Sequence, residues 1–362
     1  MIKHYRRLAL LTVLVLTLTL LAACGDPTAT TAPAATTATK AATAAATTTA
    51  AAAAATTAAV ANSGLPKIAK KDKYTVGFAQ SESNNPWRLA QSKSMQDEAD
   101  KLGWKLVVTD AASSTAKQAA DVESMIAQKV DAIFLTPREE KPLVPAIMKA
   151  KAAGIPVFLL DRNVDQTLAQ GGKDYVTFIG SDFVLEGKQA AEWLIKQTGG
   201  KGNIIELLGS TGASPANDRR KGFEDAIVGT PGLKIVAAQD GDFTRDTGRK
   251  VMETLLQAHP EVTVVYAHND EMALGAIAAL QAAGKTPGKD VIIVSIDGEK
   301  DGIQAVIDGK IGATVECNPR FGPKAYETLV KYANGDTIPT KIINPDKFFD
   351  ISNAKDFIAA AY

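Results

Sequence analysis

Beginning near Tyr74, short runs rich in β-branched and aromatic residues alternate with longer stretches of helical periodicity, and the alternation restarts midway along the chain. The first series predicts strands at 74–79, 105–109, 132–136, 156–160 and 175–179, separated by helical patterns such as 87–102 and 116–128. The second predicts strands at 203–208, 233–240, 263–267 and 291–296, with helices at 218–227, 244–258 and 272–283. Strands that each return through a helix run parallel, and their crossovers cover both faces of the sheet. Two such series in about 290 residues predict an α/β fold of two doubly wound parallel-sheet lobes. No strong residue-level repeat accompanies the architectural one.

Ahead of this region lies a different kind of sequence. Lys3, Arg6 and Arg7 precede an uncharged run over 8–22 that finishes in Leu21-Ala22-Ala23-Cys24. That is the pattern of a lipoprotein signal peptide over 1–23, with Cys24 as the lipidated residue. The run is shorter than the ~20 residues of a membrane-spanning helix, so a lipid anchor rather than a transmembrane segment is expected. Residues 24–70 are read as a disordered stalk, almost wholly Ala and Thr up to about Ser63, with no face to bury. The domain is therefore expected outside the cytoplasm, held at a membrane through Cys24.

Composition narrows the function. Lys plus Arg and Asp plus Glu both number 40, which argues against nucleic acid or an anionic surface as the main partner. With Cys24 acylated, Cys317 has no cysteine to pair with, so a packed core must supply stability. Three histidines, His4, His259 and His268, do not make a His-rich metal site, and Gly199-Gly200-Lys201-Gly202 lacks the spacing of a phosphate loop. No metal and no cofactor are expected.

In doubly wound sheets ligands sit beyond the carboxyl ends of the strands. There the chain offers Gln80-Ser81-Glu82-Ser83-Asn84-Asn85-Pro86-Trp87-Arg88, then Asp161-Arg162, His268-Asn269-Asp270 and Asp297-Gly298. Carboxylates, amides and guanidinium forks are what sugar hydroxyls require, since each hydroxyl both donates and accepts. Trp87 and Phe243 could cover the less polar faces of a sugar ring. Asp270 reads as the cap of the following helix, leaving Asn269 as the contact. Trp104 and Trp193 read as core.

The strings Ser83-Asn84-Asn85-Pro86-Trp87, Val157-Phe158-Leu159-Leu160-Asp161-Arg162, Gly241-Asp242-Phe243-Thr244-Arg245, Tyr266-Ala267-His268-Asn269-Asp270-Glu271-Met272-Ala273-Leu274-Gly275-Ala276 and Ser295-Ile296-Asp297-Gly298 resemble the ribose-type (type I) periplasmic sugar-binding proteins of ABC importers. Within that family the strings are nearest to the galactofuranose-binding type. The resemblance implies that Asn84, Asn85, Trp87 and Arg88 line the site from the first loop, that Asp161 and Arg162 grip hydroxyls, and that Phe243, Asn269 and Asp297 close from the second lobe. Arg88 stands where ribose binders carry an aromatic residue, which turns a stacking face into a hydrogen-bond fork. Over 214–223 either Asn217 or Arg219 faces the ligand, since positions i and i+2 diverge on a helix. Near a family glutamine, strand alternation sends Glu316 and Cys317 to opposite faces, and Glu316 is preferred.

The resemblance also implies three chain crossings between the lobes, near 179–181, 316–318 and 345–347. The first lobe is then 74–178 plus 318–345, and the second 179–317 plus 346–362. The implied protein is a monomer that captures a monosaccharide (galactofuranose, or a related furanose or pyranose such as ribose or galactose) by hinge closure and passes it to an ABC permease in the membrane. Two alternatives remain. Docking on a chemoreceptor or histidine kinase leaves no readable motif, so a sugar sensor stands beside the importer. A glycoside-active enzyme is disfavoured, because Asp161 stands beside the cation Arg162 and no nucleophile elbow, Ser/His/Asp ordering or metal cluster appears.

Overall fold

The computed structural model describes residues 64–362. The expected signal peptide, Cys24 and the stalk as far as residue 63 lie outside the described residues. Part of the expected stalk is packed instead: Leu65 is buried, and the Tyr332 hydroxyl donates to the Pro66 carbonyl at 2.7 Å. Among the described residues no helix is long and apolar enough to cross a membrane.

The first lobe is built from β1 (Thr75–Gln80), α1 (Pro86–Leu102), β2 (Lys105–Asp110), α2 (Thr115–Ala127), β3 (Ala132–Leu135), α3 (Val144–Ala152), β4 (Val157–Leu160) and β5 (Phe178–Gly180). The second takes α4 (Phe183–Thr198), β6 (Gly202–Leu208), α5 (Ser214–Ile227), β7 (Leu233–Asp240), α6 (Arg245–Ala258), β8 (Val264–Ala267), α7 (Asp270–Ala282), β9 (Ile292–Asp297), α8 (Lys300–Ile307) and β10 (Ala313–Glu316). The chain returns to the first lobe for α9 (Gly322–Ala333), which packs on α1, and for β11 (Lys341–Ile343). It then rejoins the second lobe through β12 (Phe348–Asp350) and α10 (Ala354–Phe357).

Sheet order is β2-β1-β3-β4-β5-β11 in one lobe and β7-β6-β8-β9-β10-β12 in the other. All neighbours are parallel except β12, which runs antiparallel to β10. The central strands β3, β4 and β8 are apolar throughout and buried at every residue, as strands covered on both faces must be. Edge strand β2 instead alternates half-buried and exposed positions. Helices α4 and α5 approach through glycines. A Cβ on Gly187 would fall 2.1 Å from the Arg219 carbonyl oxygen, and one on Gly222 would fall 2.0 Å from that of Val184. This close approach fixes where α5 can direct its side chains.

The two lobes are connected by three crossings, at 181–182, 317–321 and 344–347. One polar side chain from each meets at the hinge. Ser181 Oγ donates to Cys317 Sγ at 3.6 Å, and the Asp346 carboxyl lies beside Ser181. Asp346 is only partly covered as a residue, yet its Oδ1 is sealed without a partner. Burial, reinforced by Glu186, pushes its carboxyl up to about 8.

A carboxyl raised in this way takes up a proton on folding. Its contribution to stability is therefore lost as pH climbs from the ordinary carboxylate range, about 4, to about 8. Asp346→Asn removes that loss. Melting temperatures of the variant and parent should be similar at pH 5 and should separate in the variant's favour as pH rises to 9, whereas parallel curves would show that Asp346 titrates normally.

Candidate functional site

A cavity of about 310 Å³, counting the open space at its mouth, lies between the lobes at the carboxyl ends of the strands. The first lobe contributes Asn85, Trp87, Arg88, Asp161 and Arg162, and the second Pro215, Arg219, Phe243, Asn269 and Asp297. Cys317 lines it from the second crossing. Strand ends deliver these groups at some cost in backbone strain. Asp161, Phe243 and Asp297 have φ of 62°, 55° and 129°, and Asp242 beside the cavity has 53°. Non-glycine residues in such regions cost ~1–3 kcal/mol each and concentrate where function requires them.

Buried arginines define the electrostatics. Glu82, itself buried, accepts from Arg162 Nη2 at 2.6 Å and Arg88 Nε at 3.3 Å on Oε1, and from Arg138 Nη1 at 3.2 Å on Oε2. Burial would raise this carboxyl, but Arg162, Arg88 and Arg138 outweigh it and hold it down at about 2. Burial and the neighbouring Arg88 bring Arg162 down to about 10. In the second lobe Arg219 donates from Nε to Glu186 at 2.7 Å and from Nη1 to the His268 carbonyl at 2.7 Å, and its Nη2 stands 3.6 Å from Asp297. Burial pushes Asp297 well above the usual carboxylate range.

Two polar atoms at the cavity have no hydrogen-bond partner in the protein. Arg162 Nε is one. Asp161 Oδ2 is the other; Arg88 Nη1 lies 2.7 Å away as an ion pair, but too obliquely to make a hydrogen bond. A buried donor left unpaired costs ~1–3 kcal/mol, so a polar group that accepts from Arg162 Nε is favoured at this wall. Overhead, the guanidinium carbons of Arg162 and Arg219 stand 5.7 and 5.9 Å from the centre of the Phe243 ring. Gly209 makes room for that ring, since a Cβ there would lie 1.9 Å from its Cζ.

Three residues expected in the site lie outside the cavity. Asn84 is exposed and accepts from Asn85 Nδ2 at 3.2 Å. Asn217 points the other way from Arg219, as helical phase demands, and donates to Glu140 Oε2 at 2.7 Å. Glu316 accepts from Lys347 Nζ at 3.2 Å and from its backbone N–H at 3.1 Å, so the preference for it over Cys317 is reversed. The cap assignment is corrected as well. Asn269 caps α7, accepting from the Met272 N–H at 3.0 Å, while its Nδ2 donates to the Phe243 carbonyl at 3.1 Å. Asp270 instead accepts from Ser295 and Thr314 beneath β9 and β10. Trp87 lines the cavity but also ties the first lobe to the hinge, donating from Nε1 to the Cys317 carbonyl at 2.7 Å. Glu82, Arg138 and Pro215 were not singled out from the sequence.

Comparison with known proteins places this geometry. Residues 76–337 match the model of the periplasmic binding protein domain. The chain is 41% identical over 285 residues to the galactofuranose-binding protein of Escherichia coli, covering 78% of this chain and 89% of that one. It is 38% identical over 283 residues to the ribose import binding protein of Escherichia coli, covering 78% and 92%. A Mycobacterium smegmatis structure in complex with β-D-fucofuranose superposes with a TM-score of 0.76 at 42% identity, covering 79% and 97%.

The Glu82 bracket generates a stability test. A carboxyl held down in the folded state stabilises above its unfolded pKa, and that contribution fades as pH falls from 4.5 to about 2. Glu82→Gln should cost about 3 kcal/mol in urea unfolding at pH 7. The gap should narrow below pH 4.5; a constant gap would place the loss in packing instead.

Proposed function

The chain belongs to the periplasmic binding protein family, and from that premise we propose that it is the extracytoplasmic solute-binding lipoprotein of an ABC sugar importer. Its ligand is a monosaccharide, preferably in the furanose form, captured by hinge closure and delivered to a membrane permease. The observation that carries this reading is that Asp161 Oδ2, ion-paired with Arg88, and Arg162 Nε, both belonging to residues that line the cavity, make no hydrogen bond within the protein. A hydroxyl can donate to the first and accept from the second, which matches the chemistry of adjacent sugar hydroxyls. The names of the galactofuranose-binding relative and of the β-D-fucofuranose complex support a furanose.

Hinge closure is supported by contacts across the mouth of the cavity. Arg138 of the first lobe pairs with Asp242 of the second at 2.6 Å, the Glu140 N–H donates to the Gly212 carbonyl at 3.0 Å, and the Asn163 N–H donates to Ser214 Oγ at 2.8 Å. A ligand touching both lobes favours the shut state by the contacts it gains there. Membrane attachment is supported by the basic, apolar and Leu21-Ala22-Ala23-Cys24 sequence ahead of the domain.

Calorimetry against pentoses, hexoses and a methyl galactofuranoside should find at least one sugar bound one to one. Asp161→Ala should weaken it about 100-fold or more, since it removes the carboxylate beside Arg88 Nη1 and with it the acceptor offered to a sugar hydroxyl. A folded protein that binds none of the panel, or a variant with near-parent affinity, contradicts the assignment. Cys24→Ser should move the protein from the membrane fraction to the soluble one; unchanged fractionation contradicts the anchor.

A further inference from the structure

We propose that Arg138 is a positioning residue that joins closure of the lobes to the setting of the arginines at the cavity as one electrostatic event. The inference rests on the lobe-closure reading above and goes beyond it in naming how closure is sensed. Within the first lobe three guanidinia, those of Arg88, Arg138 and Arg162, cluster about the two carboxylates of Glu82 and Asp161. The cluster is left with one positive charge in excess, and Arg138 carries it to the lobe edge. Asp242 of the second lobe supplies the balancing carboxylate, 2.6 Å from Arg138 Nη2. Ser210 completes the latch, accepting from Arg138 Nη1 at 2.7 Å and donating to Asp242 at 2.7 Å.

The same guanidinium reaches inward. Arg138 Nη1 also donates to Glu82 Oε2 at 3.2 Å, while Glu82 Oε1 accepts from Arg162 and Arg88. The Arg138 backbone is held by its own lobe, its N–H donating to Gln118 Oε1 at 2.8 Å, and its carbonyl accepts from Arg162 Nη1 at 3.3 Å. Arg138 is therefore bound to both partners of the inner pair and to the opposite lobe at once. When the lobes part, Asp242 and Ser210 leave, and the carboxylate remaining to Arg138 is Glu82. The excess charge then draws Glu82 outward, away from the arginines that face the ligand. Closure returns Glu82 to them. Asp242 is held for this role in left-handed backbone with φ 53°, and its N–H is fixed by donating to Asp240 Oδ1 at 2.7 Å.

The coupling is testable without a sugar, so its failure is distinct from failure of the ligand assignment. Nitroxide labels at Glu123→Cys and Glu253→Cys, one in each lobe, are placed in a Cys24→Ser background with Cys317 buried, and interlobe distances are measured by double electron–electron resonance. The parent should populate a short-distance component that shrinks as sodium chloride rises from about 0.02 to about 0.5 M, because the edge pair is partly screened. Arg138→Gln and Asp242→Asn should each lose that component and its salt response, the double variant should lose no more than either alone, and Arg138→Lys should restore part of it. Matching melting temperatures would exclude misfolding as the cause. A parent without a short-distance component, additive losses, or an unchanged salt response in Arg138→Gln would overturn the proposal.

Discussion

A guanidinium removed from water needs a carboxylate beside it, because its desolvation costs several kcal/mol that only a close opposite charge can offset. Arg162 is 1% exposed, Arg219 3% and Arg88 5%, so the space between the lobes holds three such groups. Each lobe answers with a glutamate of its own, Glu82 for Arg88 and Arg162, and Glu186 for Arg219. Much of the local architecture serves these pairings. Glycines 187 and 222 let α4 and α5 approach until Glu186 meets Arg219, and the turn after β1 brings Glu82 under the end of β4.

The pairing also shapes what the cavity offers to a ligand. With the arginine charges largely met by the protein's own carboxylates, the wall presents directed donors and acceptors more than net positive charge. Such a surface suits a neutral polyol better than a phosphate or a carboxylate, which would have to displace Glu82 or Asp161 from their partners. The apolar share comes from Pro215, Phe243 and Trp87, with Trp87 committed at its polar end to the hinge carbonyl of Cys317. Ligand wall and hinge are thereby one connected structure.

The two-lobed α/β fold was legible because its strands and helices carry different periods, and the cavity because doubly wound sheets place function at strand ends. Asp161-Arg162 and Asp297 could be read that way from single strands. Side-chain direction was harder. Asn217 against Arg219 and Glu316 against Cys317 depend on the phase of one helix turn or one strand end, and Asn269 against Asp270 on which residue has extended rather than helical backbone. Strands β11 and β12, three residues each, are too short to show a period. Glu82 and Arg138 stand 56 residues apart, and Arg138 and Asp242 104 apart. No local pattern encodes such a junction, since it exists only once the lobes have folded and met.

The claim that the cavity is a selective sugar site is tested most directly by native mass spectrometry of the purified protein after soaking in an equimolar mixture of neutral and charged monosaccharides. The expected spectrum shows one adduct per chain with the mass of a neutral pentose or hexose. An adduct carrying a phosphate or carboxylate, or a folded protein that retains no sugar, would contradict the assignment of this cavity.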